Sequence, residues 1–109
     1  MTDTILCSTN ELEDNIPTGF TISIDDNAAE IIVIKTAHGF FAWRNVCPHQ
    51  SRLLNWAPGK FLMDNKNQLV CGAHGACFNI ESGLCTSGPC SGESLTPFNI
   101  KLTEKTICY

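Results

Sequence analysis

Two short boxes constrain this chain more than any other feature: Cys47-Pro48-His49 and Cys71-Gly72-Ala73-His74, each offering one thiolate and one imidazole. The 21 residues between His49 and Cys71 put the boxes on separate loops with room for strands between them. Two sulfur and two nitrogen donors suit an iron-sulfur centre, and they also suit a structural Zn2+ in a Cys2His2 tetrahedron. Cys-x-His is tighter than the usual Cys-x(2 to 4)-Cys spacing of zinc sites, and colour separates the two, red-brown for iron-sulfur and colourless for zinc. Either metal requires a fold in which two distant loops meet.

The 109 residues allow one compact domain, residues 1–109. A hydrophobic content of 43% gives a core, but a marginal one at this size, so a metal bridging two loops should add stability that the metal-free chain lacks. The net charge is −4 and the seven basic residues are scattered from Lys35 to Lys105, which argues against nucleic acid. No signal sequence opens the chain, and apolar runs such as Ile31 to Ile34 are too short to cross a bilayer, so a cytoplasmic protein with no membrane partner is the expectation. In that setting seven cysteines point to metal binding or reduced thiols rather than a disulfide framework. Besides Cys47 and Cys71, the remaining Cys7, Cys77, Cys85, Cys90 and Cys108 read as small packed residues.

Short runs rich in Ile, Phe, Val and Thr predict strands at Thr4–Ser8, Gly19–Ile24, Glu30–Thr36, Phe40–Val46, Lys60–Met63, Gln68–Cys71, Cys77–Ile80, Pro97–Leu102 and Lys105–Cys108. Ala37-His38-Gly39, Asp64-Asn65-Lys66-Asn67 and Glu81-Ser82-Gly83 separate apolar stretches as hairpin connections do. The expectation is an all-β antiparallel sandwich or barrel, with one helical turn over Ser51 to Trp56. Each box falls where a strand gives way to a loop, and loops can aim backbone N–H groups at an anionic cluster. Pro48 fixes φ beside Cys47, and Gly72 and Gly75 flank the second box in positions that favour tight loops. Ala37-His38-Gly39 repeats Ala73-His74-Gly75 without a cysteine three places earlier, so His38 reads as an exposed turn residue.

With Asn45-Val46-Cys47-Pro48-His49, Cys71-Gly72-Ala73-His74-Gly75-Ala76, Gly83 and Ser87-Gly88-Pro89 in this order, the chain resembles a stand-alone Rieske-type [2Fe-2S] ferredoxin over most of its length. That resemblance implies a Rieske-like antiparallel β-sandwich with a small cluster-binding subdomain, about residues 45–90, closed by a covering proline loop. It implies one [2Fe-2S] cluster per chain, with Cys47 and Cys71 on the buried iron and His49 and His74 on the outer iron, where a redox partner approaches. Two ferric ions (+6), two sulfides (−4) and two thiolates (−2) sum to zero with neutral imidazoles, so such a centre accepts an electron more readily than a four-cysteine one.

The departures from the family are informative too. Respiratory Rieske proteins carry an extra cysteine in each box, joined across the cluster, where this chain has Arg52 and Ala73. Those proteins also have a serine and a tyrosine donating to the cluster sulfurs, where this chain has Ala76 and Phe78. Fewer donors stabilise the reduced anion less, which predicts a midpoint in the lower half of the Rieske range, roughly −150 to +300 mV. Ser51 and Gly72 stand where related ferredoxins usually have glycine and proline. No nucleophile, base and orienter set is present, and a fully ligated cluster leaves no open position for substrate. The expected function is therefore one-electron transfer between a reductase and an oxygenase or other acceptor, and not catalysis. The alternatives are a redox-sensing or assembly subunit of a larger complex and, further off, the zinc domain.

Overall fold

The computed structural model describes residues 4–48, 53–55, 57, 59–71, 75–88 and 92–109. Among these residues the regular structure is antiparallel β-sheet, with one short 3-10 turn at Thr9–Glu11. Ten strands run in chain order: β1 Ile5–Ser8, β2 Thr18–Ile24, β3 Asn27–Thr36, β4 Gly39–Arg44, β5 Leu62–Met63, β6 Gln68–Val70, β7 Cys77–Asn79, β8 Cys85–Ser87, β9 Lys101–Thr103 and β10 Thr106–Cys108. They form three sheets ordered β1-β10-β9, β2-β3-β4 and β5-β6-β7-β8.

The middle sheet organises the molecule, and β3 shows why. Ile31, Ile32, Val33 and Ile34 are all fully buried, because a run apolar at every position is one whose two faces are both covered. Ile31 and Val33, with Ala29, Ile22 and Ala42, pack against Cys7, Leu12 and Ile107 from the β1 side. Ile32, Ile34 and Trp43 pack on the opposite face with Leu69, Phe78, Ile80 and Leu95 from the hairpin sheet. The alternation continues in β4, where Phe40 and Ala42 face one core and Phe41 and Trp43 the other. Two-residue connections hold the register: Ile24 pairs with Asn27 around Asp25-Asp26, and Thr36 with Gly39 around Ala37-His38.

Eight of the nine expected strands pair with a neighbour close to their expected ends, and the all-β antiparallel class is correct. The expected Pro97–Leu102 strand is instead split. Pro97 makes only an isolated bridge to Trp43, while Arg44 N–H donates to Thr96 O (2.8 Å) and Phe98 N–H to Ala42 O (3.0 Å), so this segment lines the β4 edge and the regular strand begins at Lys101. Pro97 has no N–H with which to extend a ladder. Strand β8 escapes sequence reading because only Cys85 of its three residues is buried, and glycines stand close on either side. The helical turn expected over Ser51 to Trp56 is not formed by Leu53, Leu54 and Asn55; Ser51, Arg52 and Trp56 lie outside the described residues.

Candidate metal centre

The first box leaves the end of β4 and the second sits in the connection between β6 and β7. Cys47 and Cys71, each 1% exposed, belong to one buried cluster with Ile32, Leu54, Leu69, Ala76 and Phe78. The topology thus brings both sulfur donors into the core between the middle sheet and the hairpin sheet. His49 and His74, the expected nitrogen donors, lie outside the described residues, as do Arg52, Gly72, Ala73, Pro89 and Cys90.

The loop that carries Cys71 is closed by its own backbone. Cys71 N–H donates to Ala76 O (2.7 Å) and Gly75 N–H donates back to Cys71 O (2.9 Å). Gly75 has φ of +71°, a left-handed conformation that reverses the chain and that L side chains adopt only at a cost. Gly88 lies over the same loop: at φ of +98°, a Cβ there would stand 2.7 Å from Ala76 Cα. Gly88, in the expected covering loop, therefore rests directly on Ala76, just past the second box.

The stretch that carries Cys47 is held by a side chain. Asn45 is the one buried polar residue among those described, 4% exposed. Its N–H donates to Glu30 O (2.8 Å), its Oδ1 accepts from Leu54 N–H (2.7 Å) and its Nδ2 donates to Asn55 Oδ1 (2.8 Å). Asn55 Nδ2 donates in turn to Ala57 O (3.0 Å). Sequence reasoning placed Asn45 inside a motif and gave it no role; an Asn at a strand end just before a loop is the signal that was available, since that side chain imitates backbone hydrogen bonding.

The neighbouring donors behave as packing residues. Cys85 Sγ points at Ser87 O (3.2 Å) and Cys77 Sγ at Gly75 O (3.6 Å). Among the described residues no three His, Cys, Asp or Glu side chains form a group able to hold a metal ion, so Cys77 and Cys85 do not join Cys47 or Cys71 in a four-cysteine site. Cys7 is buried in β1 opposite Ile107 of β10, and burial, aided by the nearby Glu11 carboxylate, raises its thiol pKa. Ala76 and Phe78 are fully buried beside the cysteines and present no hydroxyl. His38 is an exposed turn residue, as expected, and its Nδ1 meets Glu81 Oε2 at 2.6 Å.

Two soft sulfur donors in an apolar core, where the only buried polar side chain among the described residues is the uncharged Asn45 amide, suit an iron-sulfur cluster. Trp43 ties this region to the middle sheet, its Nε1–H donating to Ile80 O at 3.0 Å.

A family model described as the Rieske [2Fe-2S] domain matches residues 3–103. No curated protein sequence matches the chain. Among solved structures, the ferredoxin of carbazole 1,9a-dioxygenase from Nocardioides aromaticivorans IC177 superposes with a TM-score of 0.75 at 19% identity, covering 99% of this chain and 96% of its own. A chain from the complex of reduced oxygenase and oxidized ferredoxin in carbazole 1,9a-dioxygenase gives 0.73 at 22% identity, covering 97% and 90%. A chain assigned as the small subunit of an NADPH nitrite reductase gives 0.68 at 17% identity, covering 100% and 98%. At these identities the likeness establishes a shared fold.

Proposed function

The chain belongs to the Rieske [2Fe-2S] domain family, and from that premise we propose that it is a one-electron carrier whose single cluster is held by Cys47, His49, Cys71 and His74. In this reading Cys47 and Cys71 bind the inner iron, His49 and His74 bind the outer one, and residues 45–90 form the cluster-binding part of a domain spanning 1–109. The observation that carries it is the joint burial of Cys47 and Cys71, 1% exposed each, delivered to one core by two different loops. When bound, such a cluster supplies reversible storage of one electron at a total charge that changes from zero to −1. The chain's own part is to keep both thiolates away from water and to fix the loops that aim them.

Its partners are redox proteins, a reductase on one side and an oxygenase-type acceptor on the other. The neighbouring structure of an oxygenase with its ferredoxin supports that pairing. Val46 and Leu53, large apolar side chains 38% and 44% exposed on either side of the first box, give the docking face an apolar character. The protein serves as a component of an enzyme system and not as the catalyst, and it works in the cytoplasm. Among the described residues no helix is long and apolar enough to cross a membrane.

Reduction of the purified red-brown protein by a flavin reductase, followed by rapid transfer to an oxygenase-type acceptor, is the expected result. A cluster that stays oxidised under those conditions would overturn the carrier role. The likeness to a nitrite reductase small subunit favours a second reading, a redox-sensing or assembly subunit that stays bound in a larger complex. Proteins that co-purify with the chain separate the two readings: a stable stoichiometric complex supports the subunit, and a free chain that exchanges electrons with several partners supports the carrier.

A further inference from the structure

We propose that Asn45 is a positioning residue for the cluster, a clamp that fixes Cys47 by tying the chain leaving β4 to the chain returning at Leu54. The inference rests on Cys47 being a cluster ligand. Cys47 follows Asn45 by two residues, and Leu54 packs in the same buried cluster as Cys47, fully enclosed. The Asn45 amide spans the two: Oδ1 receives Leu54 N–H at 2.7 Å, and Nδ2 reaches Asn55, which passes the restraint on to Ala57 O. The backbone of Asn45 is itself fixed, its N–H bonded to Glu30 O of β3. The clamp is therefore anchored on the rigid middle sheet and acts on the loop.

The surroundings make this clamp hard to replace. A cleft of about 280 Å³ lies between β2 and the returning segment, lined by Thr21, Glu30, Asn45, Leu53, Asn55 and Phe61 among others. Across it the returning segment is held by the amide chain, and the Phe61 ring in the cleft wall lies against Gly19. Removing the Asn45 amide leaves Leu54 N–H buried without its acceptor, and the return leg can then move into the cleft. Movement at Leu54 is transmitted to Cys47 because the two are packed in one cluster, and sulfur orientation at iron is set by such supports.

The test uses the cluster-loaded protein and three variants. Asn45→Leu keeps the side-chain volume and removes both hydrogen bonds, Asn45→Asp keeps the acceptor for Leu54 N–H, and Thr21→Val alters the opposite cleft wall. Loss of visible absorbance under an iron chelator should be at least about tenfold faster in Asn45→Leu, recover to within about threefold of the parent in Asn45→Asp, and be unchanged in Thr21→Val. The reduced Asn45→Leu protein should also show shifted g values by electron paramagnetic resonance, a change that mere loss of stability does not produce. Unchanged g values and unchanged chelator kinetics would overturn the proposal. So would faster loss that only tracks a lower melting temperature of the cluster-free protein with g values intact. If Asn45→Leu does not fold, Asn55→Ala is measured instead, and the proposal fails if its cluster lifetime equals the parent's. A parent protein without a cluster would refute the ligand assignment itself, which separates that failure from failure of the clamp.

Discussion

The two cysteine loops reach the same burial by different means. The Cys71 loop is closed by main-chain bonds, Cys71 N–H to Ala76 O and Gly75 N–H to Cys71 O, within a hairpin connection between paired strands. The Cys47 stretch follows the end of β4, with Asn45 N–H on Glu30 O of β3, and the Asn45 side chain ties it to Leu54 and Asn55. A hairpin loop inherits its shape from the ladder on either side and needs only a residue able to turn. A loop that leaves a sheet edge needs a side chain to hold it, and the buried Asn45 amide does so. Changes in the first loop should therefore act through hydrogen bonds, and changes in the second through backbone room.

The largest effect is expected from the ligands themselves, where the two loops should be equivalent. Cys47→Ser and Cys71→Ser should each give colourless protein without the iron-sulfur absorption. Retention of a full-strength visible spectrum in either would remove that cysteine from the ligand set. The next largest effect separates the loops. Gly88→Ala places a Cβ 2.7 Å from Ala76 Cα at φ of +98°, so strain and overlap combine to cost roughly 2 to 5 kcal/mol of stability. Gly75→Ala at φ of +71° meets nothing within 4 Å and should cost only about 1–2 kcal/mol. Thermal melts of the two variants check the order, and a Gly75→Ala loss equal to that of Gly88→Ala would refute the claim that Gly88 rests on the Ala76 backbone.

The smallest effect concerns the far turns. The Glu81 carboxylate is held below its ordinary pKa, first by the Thr36 hydroxyl and then by His38, across the β3-β4 and β7-β8 turns. A lowered folded pKa means that the carboxylate contributes stability above its unfolded pKa and loses it as the pH falls through the folded value. Melting temperature should therefore decline on acidification through the carboxylate range. Glu81→Gln should flatten part of that decline, the remainder including Asp64, whose carboxyl is lowered chiefly by the Gln68 N–H. An identical slope in the Gln variant would show that the contact does not persist in solution.

The sequence made the outline of this fold readable because its signals are local. Alternation and turn residues marked eight paired strands, and Ile31 to Ile34 stood out as an apolar run before either of its packing faces was known. What escaped has a physical reason in each case. Strand β8 is defined by its partner β7 and not by its composition, with Thr86 and Ser87 exposed. The role of Asn45 depends on Leu54 N–H, a contact nine residues away that no spacing rule announces. The boxes themselves were legible because metal chemistry restricts which residues can serve, and the burial of Cys47 and Cys71 in one core agrees with them.

The central claim is that these two loops hold a Rieske cluster in a setting poor in hydrogen-bond donors, with Ala76 and Phe78 in place of hydroxyl residues. A redox titration of the purified protein followed by electron paramagnetic resonance tests it most directly. The account predicts a single reversible one-electron transition in the lower half of the range, roughly −150 to +300 mV, with a rhombic signal on reduction. A midpoint above about +150 mV would contradict the low-donor setting, and the absence of any reducible iron would contradict the cluster.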